Sequence, residues 1–358
     1  MRQIKTIDRW FGATLVALLP RPGFPSSQIL PGSILIIRPG GIGDAVLLVP
    51  AINALRERFP EAVIDVLAES RNAGAFALCP GIRRAFLYDR PGQLLEVLRQ
   101  HYDVVIDTEQ WHRLSAVVAR LVRSSVKIGF ATNERSRLFS HPIPYAQNDF
   151  EVTSFLRLLE PLSIPVGEIS VGGWLHIPAA AREPVASLMP QDDRRPMVVV
   201  FPGASTAEKR WGASCFRAVA EWCLGCRLQV VLVGGKGDRA ESEQIASGID
   251  IVNLAGRTSL LQTAATIEKA AVIVSGDSGV LHIAAGLGRP TVALFGSSSV
   301  DKWAPRGPRH VVLKQELPCS PCARFGYTPS CANSVRCMSG IAVTDVTHAI
   351  ATLLALPD

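Results

Sequence analysis

A chain of 358 residues, 48% hydrophobic and 19% charged, is long for one core and too apolar for extensive disorder, so two domains with large, doubly covered parallel sheets are expected. The 37 Lys and Arg against 31 Asp and Glu give +6, spread along the chain without an aromatic-basic signature. That balance suits an anionic substrate or a membrane surface and speaks against nucleic acid as a partner. Eight unevenly placed cysteines do not form a secreted disulfide framework, and a cytoplasmic setting fits better.

Residues 1–30 stand apart as an amphipathic N-terminal segment. Ile4, Ile7, Phe11, Leu15 and Leu18 recur at helical spacing beside Arg2, Lys5 and Arg9, with Trp10 alongside, until Pro20, Pro22 and Pro25 end the pattern. Such a helix can lie along an anionic bilayer as a peripheral membrane contact, or pack on its own protein. The apolar run from Trp10 to Leu19 is about half the roughly twenty residues a membrane span needs. Asp8 and the lack of a small-x-small cleavage site argue against a signal peptide.

Residues 31–165 read as a first α/β domain. A strand from Ser33 to Arg38 leads into Pro-Gly-Gly-Ile-Gly-Asp44 and a helix from about Ala45 to Phe59, interrupted at Pro50. Gly41 and Gly43 allow a sharp turn and close approach of a ligand. A dinucleotide fingerprint needs a third glycine where Val46 stands. What the turn delivers is the Asp44 carboxylate at the strand mouth, which also suits a helix cap. Strands at Val63–Ala68, Arg84–Tyr88, Val104–Asp107 and Val126–Phe130 then alternate with helices at Asn72–Leu78, Gln93–His101 and Trp111–Val122. The loop from Ala131 to Gln147 carries Arg135, Arg137 and His141. It reads as a solvated charged loop, with reception of an anionic acceptor as the other possibility. A helix follows from Phe150 to Leu162, and Pro and Gly punctuate a linker over 166–195.

Residues 196–358 repeat the architecture. The strand Met197–Phe201 runs into Pro-Gly-Ala-Ser205-Thr206-Ala-Glu-Lys209-Arg210-Trp211, where two hydroxyls and two adjacent cations suit phosphate binding. Alternatively this is a solvated loop with Trp211 packed underneath. Leu228–Val233 is the next strand, followed by Gly-Gly-Lys-Gly-Asp238, a helix to about Ser247, a strand Ile251–Leu254 and a helix Ser259–Ala270. Val272–Val274 then enters Ser-Gly-Asp277-Ser278-Gly279 and a helix that contains His282, before a buried strand Thr291–Phe295. A helix entered in this way leaves backbone N–H groups beside an Asp and two hydroxyls, a place for an anionic, hydroxyl-bearing ligand; the alternative is that Asp277 only caps the helix. Cys319, Cys322, Cys331 and Cys337 are spaced C-x2-C-x8-C-x5-C, which matches no common zinc finger. Buried thiols or a redox-labile pair are the main reading and a zinc site the lesser one. Cys223 and Cys226 fit core packing, and Thr344–Leu354 is a last helix.

Taken in order, Arg38-Pro-Gly-Gly-Ile-Gly-Asp44, Pro202-Gly-Ala-Ser with Lys209-Arg-Trp211, and Gly276-Asp-Ser-Gly-Val-Leu-His282 with Gly288-Arg-Pro-Thr-Val-Ala-Leu-Phe-Gly296 resemble glycosyltransferase family nine, the heptosyltransferases of bacterial lipopolysaccharide core. The resemblance covers Ile34 to the C-terminus. It implies a GT-B architecture, two Rossmann-like domains facing across a cleft, with the acceptor on the first and the sugar nucleotide on the second. It also implies inverting transfer from a nucleoside-diphosphate sugar such as ADP-heptose to a lipopolysaccharide core or related anionic glycolipid or glycan, with no cofactor or divalent metal required.

In that scheme Asp44 is the general base on the acceptor hydroxyl. Lys209, the Ser205 hydroxyl and the N–H groups of Ser278 and Gly279 stabilise the departing diphosphate. Thr206, Arg210 and His282 belong to the donor side, Asp277 holds donor-sugar hydroxyls and Asp238 reaches the ribose. Two other classes remain. A nicotinamide-dependent oxidoreductase would want the complete glycine fingerprint and an acidic residue after the second strand, where only Glu69 stands. A non-catalytic sugar-nucleotide binder would keep Lys209 and Asp277 and tolerate loss of Asp44.

Overall fold

The computed structural model describes residues 2–23, 30–167, 172–190 and 195–355, and the chain divides into two compact units, Met1–Ile169 and Ser170–Asp358. Parts of the 166–195 linker, and Pro25, lie outside the described residues. Each unit is built on a six-stranded parallel sheet. In the first the strands are β1 (Ser33–Arg38), β2 (Val63–Ala68), β3 (Ile82–Leu87), β4 (Val104–Asp107), β5 (Val126–Phe130) and β6 (His141–Ile143), in the order β3-β2-β1-β4-β5-β6. In the second they are β7 (Met197–Phe201), β8 (Gln229–Leu232), β9 (Val252–Asn253), β10 (Val272–Gly276), β11 (Thr291–Phe295) and β12 (His310–Lys314), in the order β12-β11-β10-β7-β8-β9.

Counted from its own first strand, each sheet has the doubly wound order 3-2-1-4-5-6. The chain therefore leaves in opposite directions from β1 and β4, and again from β7 and β10. The crevice beyond the carboxyl ends of such a strand pair is where open α/β sheets bind ligands. The strands read as apolar runs because helices cover both faces: Ile34 to Ile37 are buried in β1, and all of β10 and β11 is buried.

The N-terminal helix, Arg2–Leu18, packs on the first unit. Val16 lies in a core with Leu35, Ile37 and Ala116. Asp8 is buried and caps a helix 105 residues away, its Oδ1 accepting the N–H groups of Arg113 at 2.6 Å and Leu114 at 2.7 Å. These are orphan donors at the start of the helix Arg113–Leu121, where a carboxylate also meets the favourable end of the macrodipole. At the other end Arg137 donates to the Ala17 carbonyl at 3.1 Å and Arg120 to that of Pro20 at 2.8 Å. The opposite face is bare: Trp10, Phe11 and Leu18 are 71%, 61% and 76% exposed. The side chains of Ile4, Ile7, Arg2, Lys5 and Arg9 lie outside the described residues.

Several elements depart from expectation. The loop 131–147 holds a 3-10 turn, Glu134–Leu138, and the short edge strand β6, whose Pro142 is tolerated at a sheet edge. The expected helix Phe150–Leu162 is an α-helix only over Glu151–Arg157, then a 3-10 turn at Glu160–Leu162. Pro161 would clash with the carbonyl four residues back, at Arg157, where the helix ends. Strand β12 extends the second sheet beside β11 and went unread.

Candidate active site

In the first unit the chain leaves β1 through Arg38-Pro39-Gly40-Gly41 and enters the helix Ile42–Leu47, which stops at Leu48 before a second helix, Val49–Arg58, with Pro50 in its first turn. Gly40 has φ +124° and a Cβ there would stand 2.9 Å from the Arg38 Nη2, so both backbone and space demand glycine. Asp44 is half-buried in the first turn, and its Oδ2 accepts the Gly41 N–H at 3.2 Å. It thus serves as a cap with one carboxylate oxygen, beside a glycine turn open to close approach.

Under this turn lies a buried polar network. Arg38, 1% exposed, donates from Nε to the Pro39 carbonyl at 2.6 Å, from Nη1 to that of Thr108 at 2.7 Å, and from Nη2 to Glu109 Oε2 at 3.2 Å and Gln110 Oε1 at 3.5 Å. Gln110 donates to Glu151 Oε1 at 2.5 Å, and the Tyr145 hydroxyl to Glu151 Oε2 at 3.0 Å. Arg135 donates to Asp107, to the Glu109 carbonyl and to Ser115. Burial pushes the Asp107 carboxyl up, against the pull of Arg135. At Glu109, Arg38, His112 and Arg135 outweigh burial and hold the carboxyl below its usual range.

The loop of Arg135, Arg137 and His141 is therefore not the wholly solvated one expected, since its first guanidinium turns inward. Arg135 is fully buried, Arg137 secures the N-terminal helix, and His141 lies against Ser140 Oγ at 3.0 Å with its pKa lowered by burial. Glu109, Gln110, Tyr145 and Glu151 were missed from the sequence. The signal for two of them was the polar run Thr-Glu-Gln after a buried Val-Val-Ile-Asp strand.

In the second unit β7 and β10 supply the matching loops. Lys209, at the end of the 3-10 turn Ala207–Lys209, donates to Asp277 Oδ2 at 2.6 Å, and the other oxygen of Asp277 is 3.5 Å from His282 Nε2. Burial opposes ionisation of Asp277, but Lys209 and then His282 prevail and hold its carboxyl well below the usual range. The helix Gly279–Gly286 is capped not by Asp277 but by Ser278, whose Oγ accepts the Leu281 N–H at 3.3 Å and lies 2.9 Å from Ser275 Oγ. Asp277 is thereby left to the cation and the imidazole.

Thr206 Oγ1 and His282 Nδ1 are buried without a hydrogen-bond partner among the described residues, a pattern that marks a place for a ligand or water. Ser205 is exposed beside them in sequence. Arg210 pairs with Glu241 at 3.5 Å, and Trp211 is packed underneath, its Nε1 donating to the Ile341 carbonyl at 3.0 Å. Asp238 accepts the Gly235 N–H at 2.8 Å and abuts Gly203 so closely that a Cβ there would stand 2.3 Å from Oδ1.

The four tail cysteines lie near enough to feel one another, but among the described residues no group of three or more His, Cys, Asp or Glu side chains could hold a metal ion. Cys337 turns into the core, while Cys319 and Cys331 are exposed and their sulfurs accept hydrogen bonds from Asn333 and Val335.

The family description "Glycosyltransferase family 9 (heptosyltransferase)" matches residues 92–330, about two-thirds of the chain. Lipooligosaccharide heptosyltransferase 2 of Haemophilus ducreyi is 27% identical over 310 residues, spanning 78% of this chain and 88% of that protein. The structure of Escherichia coli ADP-heptose lps heptosyltransferase II aligns with a TM-score of 0.71 at 22% identity, covering 90% of this chain and 98% of that one. E. coli heptosyltransferase WaaC with ADP-2-deoxy-2-fluoro heptose aligns with a TM-score of 0.69 at 18% identity, covering 89% and 99%. These solved structures share the fold, so the GT-B architecture of two Rossmann-like units is the one the resemblance implied.

Proposed function

From the premise that this chain belongs to glycosyltransferase family 9, the heptosyltransferases, we propose that it moves a heptose from ADP-heptose to the inner core of a lipopolysaccharide-type acceptor, with inversion and without a divalent metal. It is a glycosyltransferase whose class of reaction is heptosyl transfer. The nicotinamide alternative is not favoured: Val46, in the place of the fingerprint's third glycine, is buried core. The ADP-heptose donor and the lipopolysaccharide acceptor are suggested by the names of the relatives and of the WaaC complex.

In this reading the second unit holds the donor. Lys209, Ser205 and the N–H groups of Ser278 and Gly279 face the diphosphate, with Thr206, Arg210 and His282 beside them. Asp277 takes sugar hydroxyls while pinning Lys209, and Asp238 reaches the ribose. Asp44 of the first unit, in the turn built on Gly41 and Gly43, draws the proton from the acceptor hydroxyl as its oxygen bonds to the anomeric carbon. The bond from that carbon to the phosphate oxygen breaks, and ADP leaves with the electron pair. Negative charge grows on the diphosphate in that step, and prearranged donors stabilise it without reorganisation.

The observation that carries the reading is the Lys209–Asp277–His282 chain laid across the diverging loops of β7 and β10. Thermal unfolding with ADP-, GDP- and UDP-sugars and NAD, in chelator, tests it. ADP-heptose is expected to raise the midpoint by mass action and to be turned over in the chelator. A shift with NAD alone, or turnover abolished by the chelator, contradicts it.

The same reading sets the protein on the cytoplasmic membrane face. Its N-terminal helix turns Trp10, Phe11 and Leu18 outward, the apolar half of an interfacial helix. No described helix is long and apolar enough to cross a membrane.

A further inference from the structure

We propose that Arg38 is a positioning residue for the reaction, a buried cation that fixes the Gly40–Gly41 turn from below and so aims the Asp44 carboxylate. The inference rests on the reading of Asp44 as the base. Arg38 ends a strand whose preceding four residues are Ile, Leu, Ile and Ile, all buried. A guanidinium there carries a large desolvation cost, and a buried ion pair is weak evidence for stability because apolar residues of similar volume often serve as well. Its arrangement fits a different purpose. Four acceptors hold the fork: the Pro39 carbonyl in the turn itself and, from the loop after β4, the Thr108 carbonyl, Glu109 and Gln110.

Held in this way, Nη2 lies under Gly40, closer than any side chain at that position would permit. The next residue, Gly41, gives its N–H to Asp44. The chain of support thus runs from the end of β4 through one guanidinium to the turn, and from the turn to the carboxylate. Burial disfavours the charge on Arg38, and Asp44 is foremost among the carboxylates that offset it, ahead of Glu109, Glu151 and Asp107. The other charged or titratable groups packed about this pair are Tyr145, whose hydroxyl feels both Glu151 and Asp44, and Arg135 and His112, which act on Glu109.

The test is kcat and donor KM for the wild-type chain, Arg38→Lys, the double variant Arg38→Met with Glu109→Gln, and Asp44→Asn, with folding checked by the thermal midpoint. The double variant is expected to lose about tenfold or more in kcat with donor KM unchanged, because the base is no longer aimed at the acceptor while the donor site is intact. Arg38→Lys keeps the charge but not the four-pronged hold, so its kcat falls too, again with donor KM unchanged. A folded double variant with near-normal kcat, or one whose donor KM rises as kcat falls, overturns the inference. Should the double variant fail to fold, an unchanged kcat in Arg38→Lys overturns it. Near-normal turnover in Asp44→Asn removes the base assignment and this inference with it, whereas inactive Asp44→Asn beside a double variant of near-normal kcat removes this inference alone.

Discussion

Asp277 shows how a single residue's neighbours decide its use. Ser278 takes over the helix cap, which frees the carboxylate for Lys209 and His282. Removing that carboxylate leaves Lys209 without its partner, so Asp277→Asn is expected to weaken ADP binding about tenfold or more by calorimetry, the size expected for losing a charge-assisted bond. Its depressed pKa also has a consequence for acid stability. A carboxyl whose folded pKa lies below its unfolded value, about 3.9 for Asp, contributes stability above that unfolded value and loses it as pH falls through the folded one. Urea unfolding should therefore find the wild-type advantage over Asp277→Asn intact at pH 6, and shrinking below pH 4. An advantage that grows on acidification would contradict the ion pair.

The turns that carry Asp44, Lys209 and Asp277 were legible because each is a glycine-rich or hydroxyl-rich loop between a strand and a helix. Glu109 and Glu151 were not: Arg38 and Glu109 are 71 residues apart and Gln110 and Glu151 41 apart, and no local pattern announces such pairings. Arg135 misled because loop cations are usually solvated, and here the 3-10 turn folds it into the core.

Among the elements, the N-terminal helix shows what periodicity conveys and what it leaves out. Its spacing gave the helix, and its amphipathy left two homes open, its own protein or a bilayer; Asp8 and Val16 decide that one face is packed on the first unit. Asp8→Ala should cost about 1 kcal/mol, the usual effect of a lost N-terminal cap, and speed amide exchange in the helix and at Arg113 and Leu114. No change in either would show that the cap is idle.

The cysteines offer a second test at this scale. Burial pushes the thiols of Cys79 and Cys223 up to about 12, while Cys226, Cys319 and Cys331 are exposed. Alkylation of the native chain at pH 8 should modify those three first and spare Cys79 and Cys223 until unfolding. The short strands β6 and β12 escaped sequence reading because three residues with a proline, or an edge strand after a long loop, carry little period-two signal.

At the scale of the whole molecule, alternation of apolar strands with helices was enough to give two parallel sheets, since only burial on both faces explains runs such as Ile34–Ile37. The shared strand order was not legible strand by strand, yet it places the loops of Asp44, Lys209 and Asp277 beyond the carboxyl ends of the paired central strands. The exposed Trp10, Phe11 and Leu18 bear on the molecule's surroundings. Co-flotation with vesicles containing anionic lipid should be lost in a Trp10→Asp, Phe11→Asp variant that keeps its thermal midpoint, and unchanged flotation would reject bilayer attachment by this face.

The central claim is that a carboxylate of the first unit draws the acceptor's proton while the second unit holds the donor. Single-turnover transfer from bound ADP-heptose by Asp44→Asn, measured beside its ADP affinity, tests this most directly. The account predicts ADP binding close to wild type and transfer slowed by roughly 10²- to 10⁴-fold, the usual contribution of a general base. Transfer at a near-normal rate would contradict it.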